Sequence, residues 1–282
     1  PEALEIERTI SAYQAKEFEK QGARLVERGE RLWGYDLQAV VDRLRPTTER
    51  HWLAYQVWLV RDKDPNAAAL ADGRLYITSG MLNYLAQRGS NESELAFILG
   101  HELAHTVAQH LVKRLQQLQQ QQMWLNLVGL GAAIATQRGG ESAVQAAEVT
   151  QQVASLLSTV AANGYSQDQE LEADQLGIRY IIRAGYDPEA ALAMVEDFSR
   201  FDQGMAMTFL STHPSTPRRV EDLRRYLMAI GALPGQAASG APAARMEALE
   251  ERRTRLLEAQ KLYPAGSVSW RNIQKQLEEL KP

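Results

Sequence analysis

Hydrophobic positions follow a helical period at the start of the chain, a strand-like pattern between residues 51 and 78, and a helical period again from Gly80 onward. In residues 2–30, Leu4, Ile10, Phe18 and Leu25 are spread among Glu, Lys and Arg, which predicts a charged helix. A second helix over 36–44 stops near Pro46, because the residue before a proline avoids helical geometry. Residues 51–60 (HWLAYQVWLV) are dense in aromatic and β-branched side chains and read as a strand. Residues 62–66, with Pro65, form a turn, and 67–70 a short strand. Asp72-Gly73 is a hairpin signal, leading into a returning strand over 74–78 (RLYIT).

The remainder is nearly all helical. Residues 81–87 form one helix, and Asn91 or Ser93 caps the next, 94–117. The glutamine-rich stretch 116–122 reads as its exposed continuation. A glycine-containing break at 137–140 precedes an alanine-rich helix, 141–162, and a further helix covers 167–184. Asp187-Pro188 starts another helix and Thr216-Pro217 starts 218–230, each pair supplying a cap and a first-turn proline. Residues 231–244, rich in Gly, Ala and Pro, read as a linker before two charged helices, 246–261 and 269–280. The predicted class is α+β, predominantly helical with a small sheet. The expected organisation is a domain over 1–230 (N-terminal helices 1–45, sheet 50–80, helical part 81–230), the linker, and a helical extension over 245–282.

Composition narrows the function without naming it. A hydrophobic share of 45% with 23% charged residues is that of an ordinary globular protein. A net charge of −4 leaves no nucleic-acid footprint. The absence of cysteine removes disulfides, thiolate metal ligands and cysteine nucleophiles together. The longest apolar run, 124–136, is too short to span a bilayer. The wider segment 124–162 reads as core in preference to a lid or a membrane contact. The chain begins at Pro1 rather than Met, so an upstream segment is expected, with a signal peptide or lipid anchor as candidates for it.

The chemistry lies in two separated stretches. His101-Glu102-Leu103-Ala104-His105 puts two imidazoles on one helical face, one turn apart, a spacing that suits two ligands of a tetrahedral zinc ion. Glu102, offset by about 100° from His101, is not a ligand on that face but can accept a proton from zinc-bound water. His110 lies about 140° around the helix from His105 and is set aside as a packing residue. For a third ligand, Glu170 and Glu172 are candidates, with Asp168 and Asp174 nearby. Glu170 and Asp174 are four apart and share a face, whereas Glu172 points away from both. Glu170 as ligand, with Asp174 holding a histidine's distal N–H, satisfies what such a site needs.

HELAH, then YSQDQELEADQLG (165–177), then STHPSTPRR (211–219) resembles the HtpX, BepA and CAAX-prenyl-protease type of gluzincin metallopeptidase, over roughly residues 50–230. The likeness is greatest to soluble periplasmic bacterial members. It implies a gluzincin fold whose edge strand borders the zinc cleft, and one zinc ion per chain held by His101, His105 and Glu170. It also implies Glu102 as general base and acid and Asp174 as support for a ligand imidazole. His213 would stabilise the oxyanion or occupy the open coordination position in a latent state, and Arg219 would support that region. Asn66-Ala67-Ala68 resembles the family's edge-strand motif for extended substrates, with Ala68 where relatives commonly carry a large apolar residue. The implied function is a zinc metalloendopeptidase that cuts unfolded or misassembled proteins outside the bacterial cytoplasm, with a membrane-surface or outer-membrane assembly contact and no nucleic-acid partner. The competing readings are a latent or non-cleaving zinc-binding chaperone, with His213 on the metal, and a purely structural helical protein.

Overall fold

The computed structural model describes residues 2–118, 164–201, 208–233, 242–261 and 268–280. The expected helix 141–162, the break at 137–140, the run 124–136 and most of the 231–244 linker lie outside them. In chain order the elements are α1 (Glu2–Lys20), β1 (Arg24–Leu25), β2 (Arg31–Leu32), β3 (Tyr35–Asp36), α2 (Leu37–Leu44), β4 (Gln56–Val60), β5 (Ala67–Ala69), β6 (Arg74–Thr78), α3 (Ser79–Arg88), α4 (Glu92–Val107) and α5 (His110–Leu118). They continue with α6 (Gln167–Arg183), α7 (Glu189–Phe201), α8 (Thr208–Thr212), α9 (Pro217–Ala229), α10 (Pro242–Lys261) and α11 (Val268–Glu279).

The main sheet has the order β1-β4-β6-β5, with β4 and β6 parallel and both outer strands antiparallel to their neighbours. Side chains alternate across it with the strand period of two. Val57, Leu59, Leu75 and Ile77 enter the large core under α2, α3 and α4, while Val60 and Tyr76 pack on the other face with Ala15 of α1. Phe18 of α1 stacks on Tyr76 at 3.9 Å. The predominantly helical α+β class read from the sequence is the observed one.

Three local expectations need correcting, and one element was not expected. The helix expected over 2–30 ends at Lys20, where Gly22 takes a φ of 77° and the chain turns into β1, which pairs with β4. Residues 31–36 form a hairpin, because Trp33 and Gly34 adopt φ of 52° and 89° and so make the reversal. The strand expected over 51–60 is confined to Gln56–Val60, with His51 and Trp52 exposed. The helix expected over 94–117 is two helices, α4 and α5, separated by Gln109 at φ 56°. Neither Gly nor Pro marks that last break, so the sequence pattern runs through it.

Helix α4 is buried along almost its whole length from Leu95 to Thr106. Its start is fixed by a capping box in which Asn91, not Ser93, is the cap and Glu94 closes the box. Helix α6 has its own capping box, Ser166 with Gln169. The two helices cross where Gly100 faces Gly177. A methyl group added at Gly177 would sit 3.1 Å from His101 N, so the backbones approach as closely as only glycine permits. That contact sets the HELAH stretch of α4 opposite the ELEAD stretch of α6.

Candidate metal centre

The helical period places His101 and His105 on the face of α4 that meets α6, and Glu170 on the first turn of α6 opposite them. His101 Nε2 lies 3.0 Å from His105 Nε2 and 3.4 Å from Glu170 Oε2, and His105 Nε2 lies 3.4 Å from Glu170 Oε1. His213, just after α8, brings Nδ1 to 3.3 Å from His101 Nε2 and 3.0 Å from Glu170 Oε1. All four residues are buried, and one donor atom from each falls within a 4.8 Å cluster. The backbone N–H of His213 donates to Phe209 O at 2.9 Å, and its ring stacks on the Phe209 ring.

These separations test whether a metal ion fits. Nitrogen and oxygen ligands bonded to zinc at about 2.0–2.1 Å stand about 3.3 Å apart along the edges of a tetrahedron. The observed contacts of 3.0–3.4 Å have that length. Two imidazole nitrogens 3.0 Å apart can share one hydrogen or one cation, but they cannot each carry a proton toward the other. The donor set of three imidazoles and a carboxylate is one that suits zinc.

Around the donors, each further side chain has an evident hold. Asp174 Oδ1 lies 3.0 Å from His101 Nδ1, on the side of the ring away from the cluster. Arg219 donates from Nε and Nη2 to Asp174 at 2.8 Å each, and its Nη1 lies 2.7 Å from Glu170 Oε2. Glu102 Oε2 accepts from Ala69 N–H of β5 at 3.0 Å. Its Oε1 is buried, lies 3.4 Å from His213 Nε2, and has no hydrogen-bond partner among the described residues. Tyr165 stacks flat on His105 with ring centroids 4.0 Å apart.

Charge follows from burial and these neighbours. Burial opposes ionisation of Glu170, yet the charges of His213 and Arg219 hold its carboxyl well below the ordinary range. Asp174 is likewise lowered: Arg219 and His101 outweigh the cost of burial. Burial pushes Glu102 up, only partly offset by His213 and His101. Burial also works against a charge on His101, but hydrogen bonds to Asp174 and Glu170 outweigh it and raise the group to about 9. His105 goes the other way, its charged form disfavoured mainly by burial.

The structure therefore gathers His101, His105, Glu170 and His213 at one point, with Glu102, Asp174 and Arg219 around it. Asn66, Ala67 and Ala68 lie at the sheet edge nearest this point. Ala67 and Ala68 pair with Ile77 and Tyr76, and Asn66 joins the same ladder through Thr78. The alternation of an antiparallel pair turns the peptide groups of Ala67 and Ala69 away from β6, and it is on that side that Ala69 N–H reaches Glu102.

Sequence reasoning missed Ala69, whose peptide holds Glu102; a backbone donor carries no residue-type signal. It missed Tyr165 for want of any spacing rule. The placement of His110 is a correction. Because α4 ends at Val107, extrapolating one helix through Gln109 fails, and His110 is completely buried with Nδ1 2.9 Å from His105 Nδ1. Glu172 points away from the cluster, as helical geometry predicts, and its Oε2 lies 3.1 Å from His110 Nε2.

Comparison with known proteins agrees with this geometry. The profile of Peptidase family M48 matches residues 34–227. Mitochondrial metalloendopeptidase OMA1 of Schizosaccharomyces pombe is 29% identical over 182 residues, covering 62% of this chain and 47% of that protein. The Beta-barrel assembly-enhancing protease of Yersinia pestis is 31% identical over 179 residues, 60% of this chain and 34% of that protein. Metalloprotease LoiP of Escherichia coli is 25% identical over 177 residues, 63% of this chain and 64% of that protein. The chain thus aligns with between a third and two thirds of each relative's length. With a profile match that spans all three motifs and a side-chain cluster that joins them, the chain belongs to peptidase family M48, a family of metallopeptidases.

Proposed function

We propose that the protein is a zinc-dependent endopeptidase that cleaves unfolded or misassembled proteins. The observation that carries this reading is the cluster of donors at tetrahedral-edge spacing with the buried carboxylate of Glu102 beside it. His101, His105 and Glu170 hold the ion. When bound, zinc polarises the scissile carbonyl and acidifies a water molecule next to it. Glu102, whose burial raises its proton affinity, takes that water's proton and returns it to the leaving amine. Its other oxygen is tied to Ala69 N–H, which fixes the carboxylate at the strand edge. Asp174 orients His101, and Arg219 keeps both buried carboxylates ionised. An extended peptide adding to the free side of β5, over Asn66, Ala67 and Ala68, is bound through backbone hydrogen bonds that ignore its sequence. The small side chain of Ala68 leaves little basis for selectivity there.

His213 favours a second, latent state. Its Nδ1 occupies the fourth corner of the donor set, and its Nε2 faces Glu102. In that position it displaces the reacting water. Swung out, it is placed to donate to the developing oxyanion. An extracytoplasmic bacterial location, an upstream membrane anchor and a contact with outer-membrane assembly are part of the same proposal. Bacterial relatives named for β-barrel assembly support the location and the assembly contact.

The test compares zinc-loaded wild type, Glu102→Gln and His213→Ala on casein. Glu102→Gln is expected to lower turnover by about 10²–10⁴-fold while still binding zinc. His213→Ala should cleave at least as fast as wild type if the resting site is closed. Equal cleavage by Glu102→Gln and wild type would sink the enzymatic reading. Cleavage by neither wild type nor His213→Ala would favour a zinc-binding chaperone.

A further inference from the structure

We infer that His110, backed by Glu172, is a positioning residue for the metal ligand His105. The inference rests on the reading of His105 as a zinc ligand. With its Nε2 turned to the metal cluster, His105 keeps its hydrogen on Nδ1, which lies 2.9 Å from His110 Nδ1. His110 Nδ1 is then the acceptor, so its own hydrogen sits on Nε2, 3.1 Å from Glu172 Oε2. The chain of donors runs in one sense from ligand to carboxylate and fixes the tautomer and ring plane of both histidines. Ligand imidazoles are commonly held this way by one carboxylate or carbonyl; here a second imidazole is interposed.

The local fold is arranged to make this contact. A continuous helix would carry His110 about 140° away from His105. Instead the chain turns at Gln109, whose φ of 56° is a costly conformation for a residue with a side chain. The turn is clamped from two directions. Gln109 Nε2 donates to Glu7 of α1 at 2.6 Å, and Gln169 of α6 donates to His110 O at 3.1 Å. Arg50, paired with Glu7 at 2.7 Å, also donates to Thr106 O at 3.1 Å. Strain at Gln109 is thus maintained by buried polar contacts whose joint effect is to seat His110 behind His105.

Four variants and two readouts test the role: zinc affinity by competition with a chromophoric chelator, and the visible spectrum of the cobalt(II) form. His110→Phe is expected to weaken zinc binding by about 10–100-fold and to shift the cobalt bands. His110→Asn, whose Oδ1 stands near the place of Nδ1 and accepts the same hydrogen, should recover most of the affinity. Glu172→Ala, at a half-exposed side chain, should weaken binding in the same direction by less. Wild-type affinity and spectrum in a folded His110→Phe would overturn the inference. So would a His110→Asn as weak as His110→Phe, which would mark the site as packing only. Should His110→Phe not fold, unchanged affinity in Glu172→Ala overturns it. His101→Ala separates the two readings: if it binds zinc as tightly as wild type, the ligand assignment itself fails, whereas the relay alone fails when zinc binding depends on His101 but not on His110 or Glu172.

Discussion

At the scale of single residues, the site is a buried set of charges that balance only as a group. Arg219 is almost wholly buried and serves two carboxylates, Glu170 and Asp174, that are themselves inaccessible. Arg219→Met leaves both without compensation, so it should cost roughly 3–5 kcal/mol of stability, read from the denaturant midpoint. An unchanged midpoint would mean that the pairs contribute nothing. His101 gives a pH dependence with opposite signs in two states. Its proton affinity in the metal-free chain is raised to about 9, against about 6.5 for an unfolded histidine. Between those values the folded chain binds more protons than the unfolded one, so metal-free stability should fall as pH rises through that window. Zinc must displace the same proton, so zinc affinity should climb across the same range and flatten above about pH 9. Thermal melts without zinc and chelator titrations at successive pH values read the two trends; parallel trends would contradict the assignment.

At the scale of elements, the crossing of α4 and α6 decides whether the ligands meet. A leucine at Gly177 drives a side chain into the backbone at Gly100 and His101. Gly177→Leu is expected to cost about 1–3 kcal/mol and to lower zinc affinity more than a surface substitution of equal cost. Wild-type zinc affinity in that variant would show that the crossing does not set the site. Much of this geometry was legible in the chain. A period of 3.6 puts His101 with His105 and Glu170 with Asp174, the caps Asn91 and Thr216 open their helices as read, and the helices behind the unread caps Asp36 and Ser166 start within a residue of the expected position. What was not legible depends on contacts far apart in sequence. The turn at Gln109 is held by Glu7, over one hundred residues distant, and no Gly or Pro announces it. The β1 strand exists because β4 offers it an edge, not because Arg24-Leu25 favours extended backbone. His213 reaches the cluster through Phe209, and spacing from the HELAH stretch says nothing of that path.

At the scale of the whole molecule, four separate parts of the chain converge on one point: the α4–α5 corner, the start of α6, the segment after α8, and the β5 edge. The sheet positions its edge strand against Glu102, and α1 reaches across to brace the α4–α5 corner through the buried pair of Glu7 and Arg50. Helix α10 docks on the far side of α6 from the donor cluster, where its Glu250 pairs with Arg179 at 2.9 Å and Met246 is buried, and α11 packs against α10. No described helix is long and apolar enough to cross a membrane. The most direct test of the central claim is the zinc K-edge X-ray absorption spectrum of the zinc-loaded wild type, compared with its His101→Ala variant. The predicted result is one zinc per chain in a four-coordinate shell at about 2.0–2.1 Å, with outer-shell scattering from three imidazoles that is lost or rearranged in the variant. Substoichiometric zinc, or a shell of water oxygens identical in the two proteins, would contradict it.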